Sequence, residues 1–449
     1  MEIKKKRKQL SSFQIIIFGF MGVILAGALL LMLPIASKGA GGTPFIDSLF
    51  TATSAVCVTG LIVHDTATYW TLFGQTVIIC LIQIGGLGVV TIAVAITMIS
   101  GRKIGLMQRS TMQEAISAPT IAGVVKLTTF ILKGVFFFEA LGAVLMAPVF
   151  CKEFGWIKGI WYACFHSISA FCNAGFDLMG VREPCSSLTS FAGNPLINFV
   201  IMALIVIGGI GFLTWQDVLV HKTNFHKYRM QSKIVIIVSA LLIFVPALYF
   251  YVCEFSKSYW DFASAGDKVW YALFQSVTVR TAGFNTVDLA KLGEPAILLM
   301  ICLMIIGGSP GSTAGGIKTT TFAVLLGNCF SVFLRKEDTN FFGRRIAPEA
   351  VKEAGTILML YLVLFLLGTM VISSVEEVPV LTAMFEAGSA IATVGLTLGI
   401  TAKLHFISKV ILIFLMFMGR VGGLTLIFAA LSRKRRNLSR MPEEKITVG

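Results

Sequence analysis

The 449-residue sequence predicts an all-α integral membrane protein of four membrane-pore-membrane repeats, eight transmembrane helices plus four re-entrant pore helices, arranged around one pore. Three observations carry this prediction. Hydrophobic residues make up 56% of the chain and charged residues 13%, about half the charged share of an average soluble domain. Apolar runs long enough to cross a hydrocarbon core of about 30 Å recur along the chain. Four short segments also align with one another at a large, nearly constant period, the signature of an internal repeat.

The aligned segments end at Leu61, Phe176, Phe284 and Leu396. Each begins near a Phe, runs through small and hydroxyl residues, and closes on a Gly followed by Leu or Phe. The shared glycines Gly60, Gly175, Gly283 and Gly395 stand 115, 108 and 112 residues apart. From Phe274 to Gly283 the third segment is one residue shorter than the others. A glycine pair follows each segment inside an apolar run: Gly85 and Gly86, Gly208 and Gly209, Gly307 and Gly308, Gly422 and Gly423. Each repeat then reads as a first span, a pore helix too short to cross, a Gly turn and a second span. First spans are expected at 13–33, 127–150, 231–254 and 355–375, and second spans at 71–100, 196–220, 293–334 and 405–431. The division that follows is 1–12 as an N-terminal segment, repeats at 13–100, 101–220, 221–334 and 335–431, and a tail at 432–449.

Charge sets the orientation. The formal net charge is +14, but the basic residues fall in short clusters between apolar runs, which reads as topology and not as a nucleic-acid surface. The clusters are Lys4 to Lys8, Arg102 to Arg109, Lys222 to Lys233, Arg335 to Lys352 and Arg433 to Arg440. The positive-inside rule places them in the cytoplasm, so both termini are expected inside a multi-pass protein of the cell membrane. The first apolar run exceeds a signal-peptide core of about 7–15 residues and reads as a retained span. Nine cysteines and five histidines show no metal-ligand or disulfide spacing. With no clustered catalytic residues beside the spans, the expectation is that the chain is not an enzyme and carries no cofactor of its own.

Non-helical backbone at membrane depth needs protein or water around it, so four Gly turns imply a shared cavity. Potassium filters line such a cavity with backbone carbonyls from four TVGYG loops. The fourth copy reads Thr393, Val394, Gly395, Leu396, and the others read Val58, Thr59, Gly60; Asn173, Ala174, Gly175; and Thr281, Ala282, Gly283. These twelve backbone positions, ending on the four glycines, are the expected ion-coordinating filter, with potassium as the ion. Glycine belongs there because inward carbonyls require dihedrals that a Cβ penalises. No acidic ring stands beside the glycines, which argues against a divalent-cation site.

Two features of the second spans stand out. From Gly307 to Gly316 (Gly307, Gly308, Ser309, Pro310, Gly311, Ser312, Thr313, Ala314, Gly315, Gly316) half of the residues are Gly. With Pro310 among them, a continuous helix is excluded. Arg420 lies within the last apolar run, where an ionisable residue faces a cavity or a partner. Lys133 and Glu139 also interrupt an apolar run. Lys133 reads as a snorkelling side chain, and Glu139 is assigned no role.

The segment Val279 to Thr286 (VRTAGFNT) and the run Gly307 to Lys318 (GGSPGSTAGGIK) resemble signatures of the Trk, Ktr and HKT superfamily of potassium transporters. The likeness spans nearly the whole chain. With eight expected spans, the chain is more similar to the membrane subunits of bacterial Ktr systems than to Trk subunits. The resemblance implies potassium uptake, often sodium-dependent, by a homodimer with one pore per subunit in the lipid membrane. It also implies a cytoplasmic ring of regulatory subunits that bind adenine nucleotides. It further implies that the Gly307 to Gly316 loop is a gate below the filter, with Arg420 beside it. The alternative is a secondary cation carrier, a sodium-potassium symporter with a midplane site. The parallel order of the four copies favours the pore.

Overall fold

The computed structural model describes residues 11–39, 41–100, 104–116 and 121–422. Gly423, Arg102, Lys103, the Lys4 to Lys8 and Arg433 to Arg440 clusters and the tail 432–449 lie outside the described residues.

The chain is predominantly helical. It opens with α1 (Ser12–Leu31), started by a capping box in which Ser11 Oγ accepts the Gln14 N–H at 3.2 Å and Gln14 Oε1 accepts the Ser11 N–H at 3.1 Å. A short helix α2 (Phe45–Val56), then α3 (Leu72–Leu87) and α4 (Val89–Ile99), complete the first quarter. The connector α5 (Leu106–Ala115) leads to α6 (Val124–Phe154), α7 (Trp156–Phe171), α8 (Pro195–Gly209) and α9 (Phe212–His221). The third quarter has α10 (Met230–Tyr249), α11 (Ala265–Thr278), α12 (Glu294–Ile305) and α13 (Thr319–Phe333). A two-stranded hairpin, β1 (Asn340–Phe341) and β2 (Arg344–Arg345), precedes α14 (Pro348–Glu376), α15 (Val380–Ile391) and α16 (Phe406–Val421).

Among the described residues, four helices are long and apolar enough to cross a membrane: α1, α6, α10 with its extension to Glu254, and α14. At most 33% of each apolar window is buried inside the protein, as suits helices whose outer faces meet lipid. Two of the second spans are sharply bent. The helix axis turns by 95° between α3 and α4 and by 98° between α8 and α9. The reason is local: Gly88 and Gly211 take φ of +85° and +91°, which only glycine adopts at low cost. Gly422, which caps α16, repeats this conformation at φ +87°. The third second span is broken by residues 306–318, as Pro310 and the glycines require.

The glycine-pair landmark also needs correction in the fourth copy. A Cβ at Gly85, Gly208 or Gly419 would collide with the carbonyl of Val56, Phe171 or Ile391, the last helical residue of the short helix in the same quarter. Gly419 is therefore the counterpart of Gly85 and Gly208, and Arg420 occupies the place of Gly86 and Gly209. Gly422 corresponds to the bend glycines Gly88 and Gly211. The bend glycine belongs to an adjacent Gly pair only in the fourth copy, so counting pairs mistook it for the packing one.

The short helices are held by their neighbours in cyclic order. α3 packs on α7, α8 on α11, α12 on α15, and α16 on α2. Each short helix also buries a Phe at the equivalent position, Phe50, Phe165, Phe274 or Phe385. The contact that joins the fourth quarter to the first includes a half-hidden ion pair. Lys409 Nζ lies 2.8 Å from Asp47 Oδ1, and His64 Nε2 lies 3.1 Å from Asp47 Oδ2. Breaking a buried pair strands one charge, at a cost of about 3–5 kcal/mol. Asp47→Ala is expected to lower the thermal midpoint of the purified protein strongly, whereas the double change Asp47→Leu with Lys409→Met recovers most of it. A double-mutant cycle on unfolding checks this.

Candidate ion-conducting site

The four short helices converge on the four Gly turns, and the turns close into a ring. A Cβ built on Gly60 would lie 2.5 Å from the carbonyl oxygen of Ala174, one on Gly175 would lie 2.8 Å from that of Ala282, and one on Gly283 would lie 2.6 Å from that of Val394. At Gly395 it would strike the carbonyl of Thr59, the tightest approach of the four. Each glycine thus abuts the residue just before the glycine of the next copy, and the fourth returns to the first. The glycines have φ of +96°, +69°, +82° and +93° in chain order.

The residue two places before each glycine is left-handed as well. Val58, Asn173, Thr281 and Thr393 have φ of 57°, 58°, 66° and 52°, and three of the four are β-branched, for which such angles are outliers. Strain of about 1–3 kcal/mol at each such residue persists only where the surroundings enforce it. Hydroxyl anchors supply that enforcement. Ser54 Oγ accepts the Gly60 N–H at 3.1 Å, and Ser389 Oγ accepts the Gly395 N–H at 3.0 Å. Ser169 Oγ donates to Phe176 O at 2.7 Å, and Thr278 donates to Phe284 O. These four residues stand six places before their glycines, or five in the third copy.

That shift locates the missing residue of the third segment. Thr59, Ala174 and Val394 each donate to the carbonyl five residues earlier at 2.8 Å, whereas Ala282 donates four residues back, to Thr278 at 3.0 Å. Removing an anchor leaves a buried N–H unpaired, at about 1–3 kcal/mol. Ser389→Ala is therefore expected to weaken ion discrimination in a flux assay more than Ser169→Ala, which frees only a carbonyl.

The 307–316 loop lies against the inner ends of these turns. Ser309 and Thr313 donate their N–H groups to Gly209 O at 3.0 Å and Gly208 O at 3.2 Å, and Gly311 O accepts the Phe212 N–H at 2.8 Å. Thr313 Oγ1 donates to Phe171 O at 3.1 Å. A Cβ on Gly315 would collide with the Thr393 hydroxyl. Lys318 Nζ donates to Ala314 O at 2.7 Å and folds back over the loop. Arg420 spans the gap between loop and first quarter: Nη1 donates to Thr313 O, and Nη2 donates to Gly85 O and, at 3.2 Å, to Gly86 O. A cavity of about 340 Å³ opens beside the loop and Arg420, bounded by Gly88, Ile116, Gly311, Lys318, Tyr361 and Arg420 among others. The four glycines of the expected filter thus meet in one ring, and the expected loop and Arg420 bond to residues beside it.

Comparison with known proteins decides the family. The model of the family TrkH, cation transport protein, matches residues 3–438. The chain is 41% identical to the potassium/sodium uptake protein NtpJ of Enterococcus hirae, with 99% of each chain covered. It is 39% identical to the Ktr system potassium uptake protein B of Bacillus subtilis, over 97% of this chain and 96% of that one. The crystal structure of the potassium transporter TrkH from Vibrio parahaemolyticus shares the fold at a TM-score of 0.72 and 21% identity, covering 95% of this chain and 86% of that chain. The chain belongs to the TrkH family of cation transport proteins. It is a multi-pass membrane protein.

Several residues of this TrkH-family chain escaped the sequence reading. The anchors Ser54, Ser169, Thr278 and Ser389 were visible only as part of a run of hydroxyls. Arg280, buried beside the third turn, donates to Ser239 Oγ at 3.1 Å. Glu139, given no role from sequence, accepts from Gln83 Nε2 at 3.2 Å. That partner is 56 residues away, so no helical spacing pointed to it. Lys133 is exposed, in keeping with a snorkelling side chain.

Proposed function

We propose that the chain takes up potassium across the cell membrane through the carbonyls around Gly60, Gly175, Gly283 and Gly395. The observation that carries this reading is the closed cyclic contact of the four Gly turns, in which each glycine lies against the carbonyl of Thr59, Ala174, Ala282 or Val394 from another copy. Backbone carbonyls replace the water shell of a weakly hydrated monovalent ion without a formal charge. The buried hydroxyls of Thr59 and Thr393 have no hydrogen-bond partner in the protein, which suits groups that serve a passing ion. The cyclic packing of short helices on neighbouring helices supports four membrane-pore-membrane repeats with eight crossings. Basic residues at the ends of the spans support cytoplasmic termini.

The 307–316 loop is the gate in this reading, and Arg420 holds it closed. Several bonds of the loop are to Gly208, Gly209 and Phe171, so a shift of α8 and α9 relative to the loop trades one set of bonds for another. The name of one relative, Ktr system potassium uptake protein B, supports work alongside further components of such a system; the homodimer and the separate cytoplasmic ring of adenine-nucleotide-binding subunits rest on the resemblance carried by Val279 to Thr286 and Gly307 to Lys318. Arg109 is exposed and available to that ring.

The test is flux through liposomes containing only this chain. Potassium is expected to pass in preference to sodium, at a low basal rate that purified ring subunits change with nucleotide. Equal potassium and sodium flux would remove the filter assignment. Strict one-to-one dependence on sodium would move the reading to the symporter.

A further inference from the structure

Away from the ion pathway, a cavity of about 400 Å³ opens where α9, α10 and the β1–β2 hairpin meet. Five basic side chains line it: His221, His226, Lys227, Lys233 and Arg344. No carboxylate does. Two acids on the flanking elements are already engaged. Asp217 accepts from the Arg229 N–H at 3.1 Å and the Ser232 hydroxyl at 2.6 Å, and Asp338 pairs with Arg345 at 3.3 Å. Lys227, Lys233 and Arg344 carry like charges that repel each other across one space unless an anion joins them.

The cavity is also held in shape. Lys233 Nζ donates to His226 O at 2.9 Å and sits between the rings of Phe225 and Phe342, at 5.9 Å and 5.6 Å from their centroids. Tyr228 is buried against it and bonds back to Lys222 O. A cation fixed this way presents its remaining donors to the cavity with little further loss of side-chain freedom.

Its depth fits the membrane surface. The apolar helix Met230–Glu254 has 25 residues, about 37 Å at 1.5 Å per residue, which exceeds the hydrocarbon thickness of about 30 Å. Its first turn, with Met230 and Lys233, therefore stands at headgroup level. Beside it α9, turned by 98° from α8, exposes Val218, Leu219 and Val220 at 40%, 64% and 65% immediately before His221. An apolar wall leading to a basic cavity matches acyl chain and phosphate in one molecule.

We propose that this cavity binds the phosphate-bearing headgroup of an anionic phospholipid from the adjacent leaflet. The binding goes beyond the transport reading and does not depend on it. The test uses the full chain in mild detergent, with bound lipid counted by native mass spectrometry during titration with phosphatidylglycerol or phosphatidylcholine. Phosphatidylglycerol is expected to be retained selectively. The pair Lys227→Gln with Arg344→Gln, both exposed positions, is expected to weaken its binding about thirtyfold, since each basic residue near an anionic surface contributes about a fivefold factor. Arg109→Gln, exposed at another place, is expected to leave it unchanged. Equal retention of the two lipids, or equal phosphatidylglycerol binding by the double variant, would overturn the proposal. If inorganic phosphate alone displaces the lipid at equal concentration, the site belongs to a soluble anion and the lipid assignment falls.

Discussion

Gly395→Ala is expected to abolish selective potassium uptake. At φ +93° an alanine is strained before any contact is considered, at about 1–3 kcal/mol. Its methyl would also run into the carbonyl of Thr59, and relieving an overpacked contact costs about 1–3 kcal/mol more. The ring relaxes by moving that carbonyl away from the axis. Since about 1.4 kcal/mol is tenfold in an equilibrium, a loss of this size exceeds a tenfold ion preference. The four positions should not respond equally. Gly175 has the smallest positive φ, +69°, and the loosest approach, 2.8 Å, so Gly175→Ala is expected to retain the most selectivity. Relative potassium and sodium permeation of the four single variants in liposomes decides the matter. An unchanged preference in all four would remove the ring from the ion pathway.

Arg420→Ala is expected to raise partner-independent flux about tenfold. The guanidinium donates at once to Thr313 O on the loop and to Gly85 O and Gly86 O on α3, and a hydrogen bond to a charged group contributes about 1.5–3 kcal/mol. Losing one such contact from the closed form alone shifts the closed-to-open equilibrium by about an order of magnitude. The change also removes a positive charge from a passage for cations, which acts in the same direction. Arg420→Lys is the informative control. A single ammonium cannot reach both sides with a planar fork, so it keeps the charge but loses the clasp, and an intermediate flux is expected. Deleting Ser309 to Ala314 is expected to match or exceed Arg420→Ala. Wild-type flux in both, at equal reconstituted amounts, would show that the constriction lies elsewhere.

The two predictions rest on features that differ in how far they could be read from the chain. Glycine at 60, 175, 283 and 395 was legible because the same short pattern recurs four times, and its conformational reason is intrinsic to the residue. The left-handed backbone at Val58, Asn173, Thr281 and Thr393 was not. Propensity argues against that conformation at three of the four sites, and only the surrounding packing and the hydroxyl anchors impose it. The bends at Gly88 and Gly211 sat in plain sight as third glycines after each pair. Apolar runs of 71–100 and 196–220 nevertheless read as straight spans, because hydropathy reports length and not direction.

The linear sequence by itself determined what composition and local backbone chemistry can carry: a membrane protein, four Gly turns, a helix broken around Pro310 and an arginine needing partners. Each depends on a residue's own dihedrals or its own transfer into lipid. Only the tertiary structure decided which copy meets which, that Gly419 and not Gly422 packs on the short helix, and that Arg420 bonds to Thr313 and Gly85, 107 and 335 residues away. It also decided that the Gln83 to Glu139 and Asp47 to Lys409 pairs form, and that five basic residues surround one cavity. Contacts between distant segments are selected by the cyclic packing of whole helices, and no period or spacing along the chain encodes them.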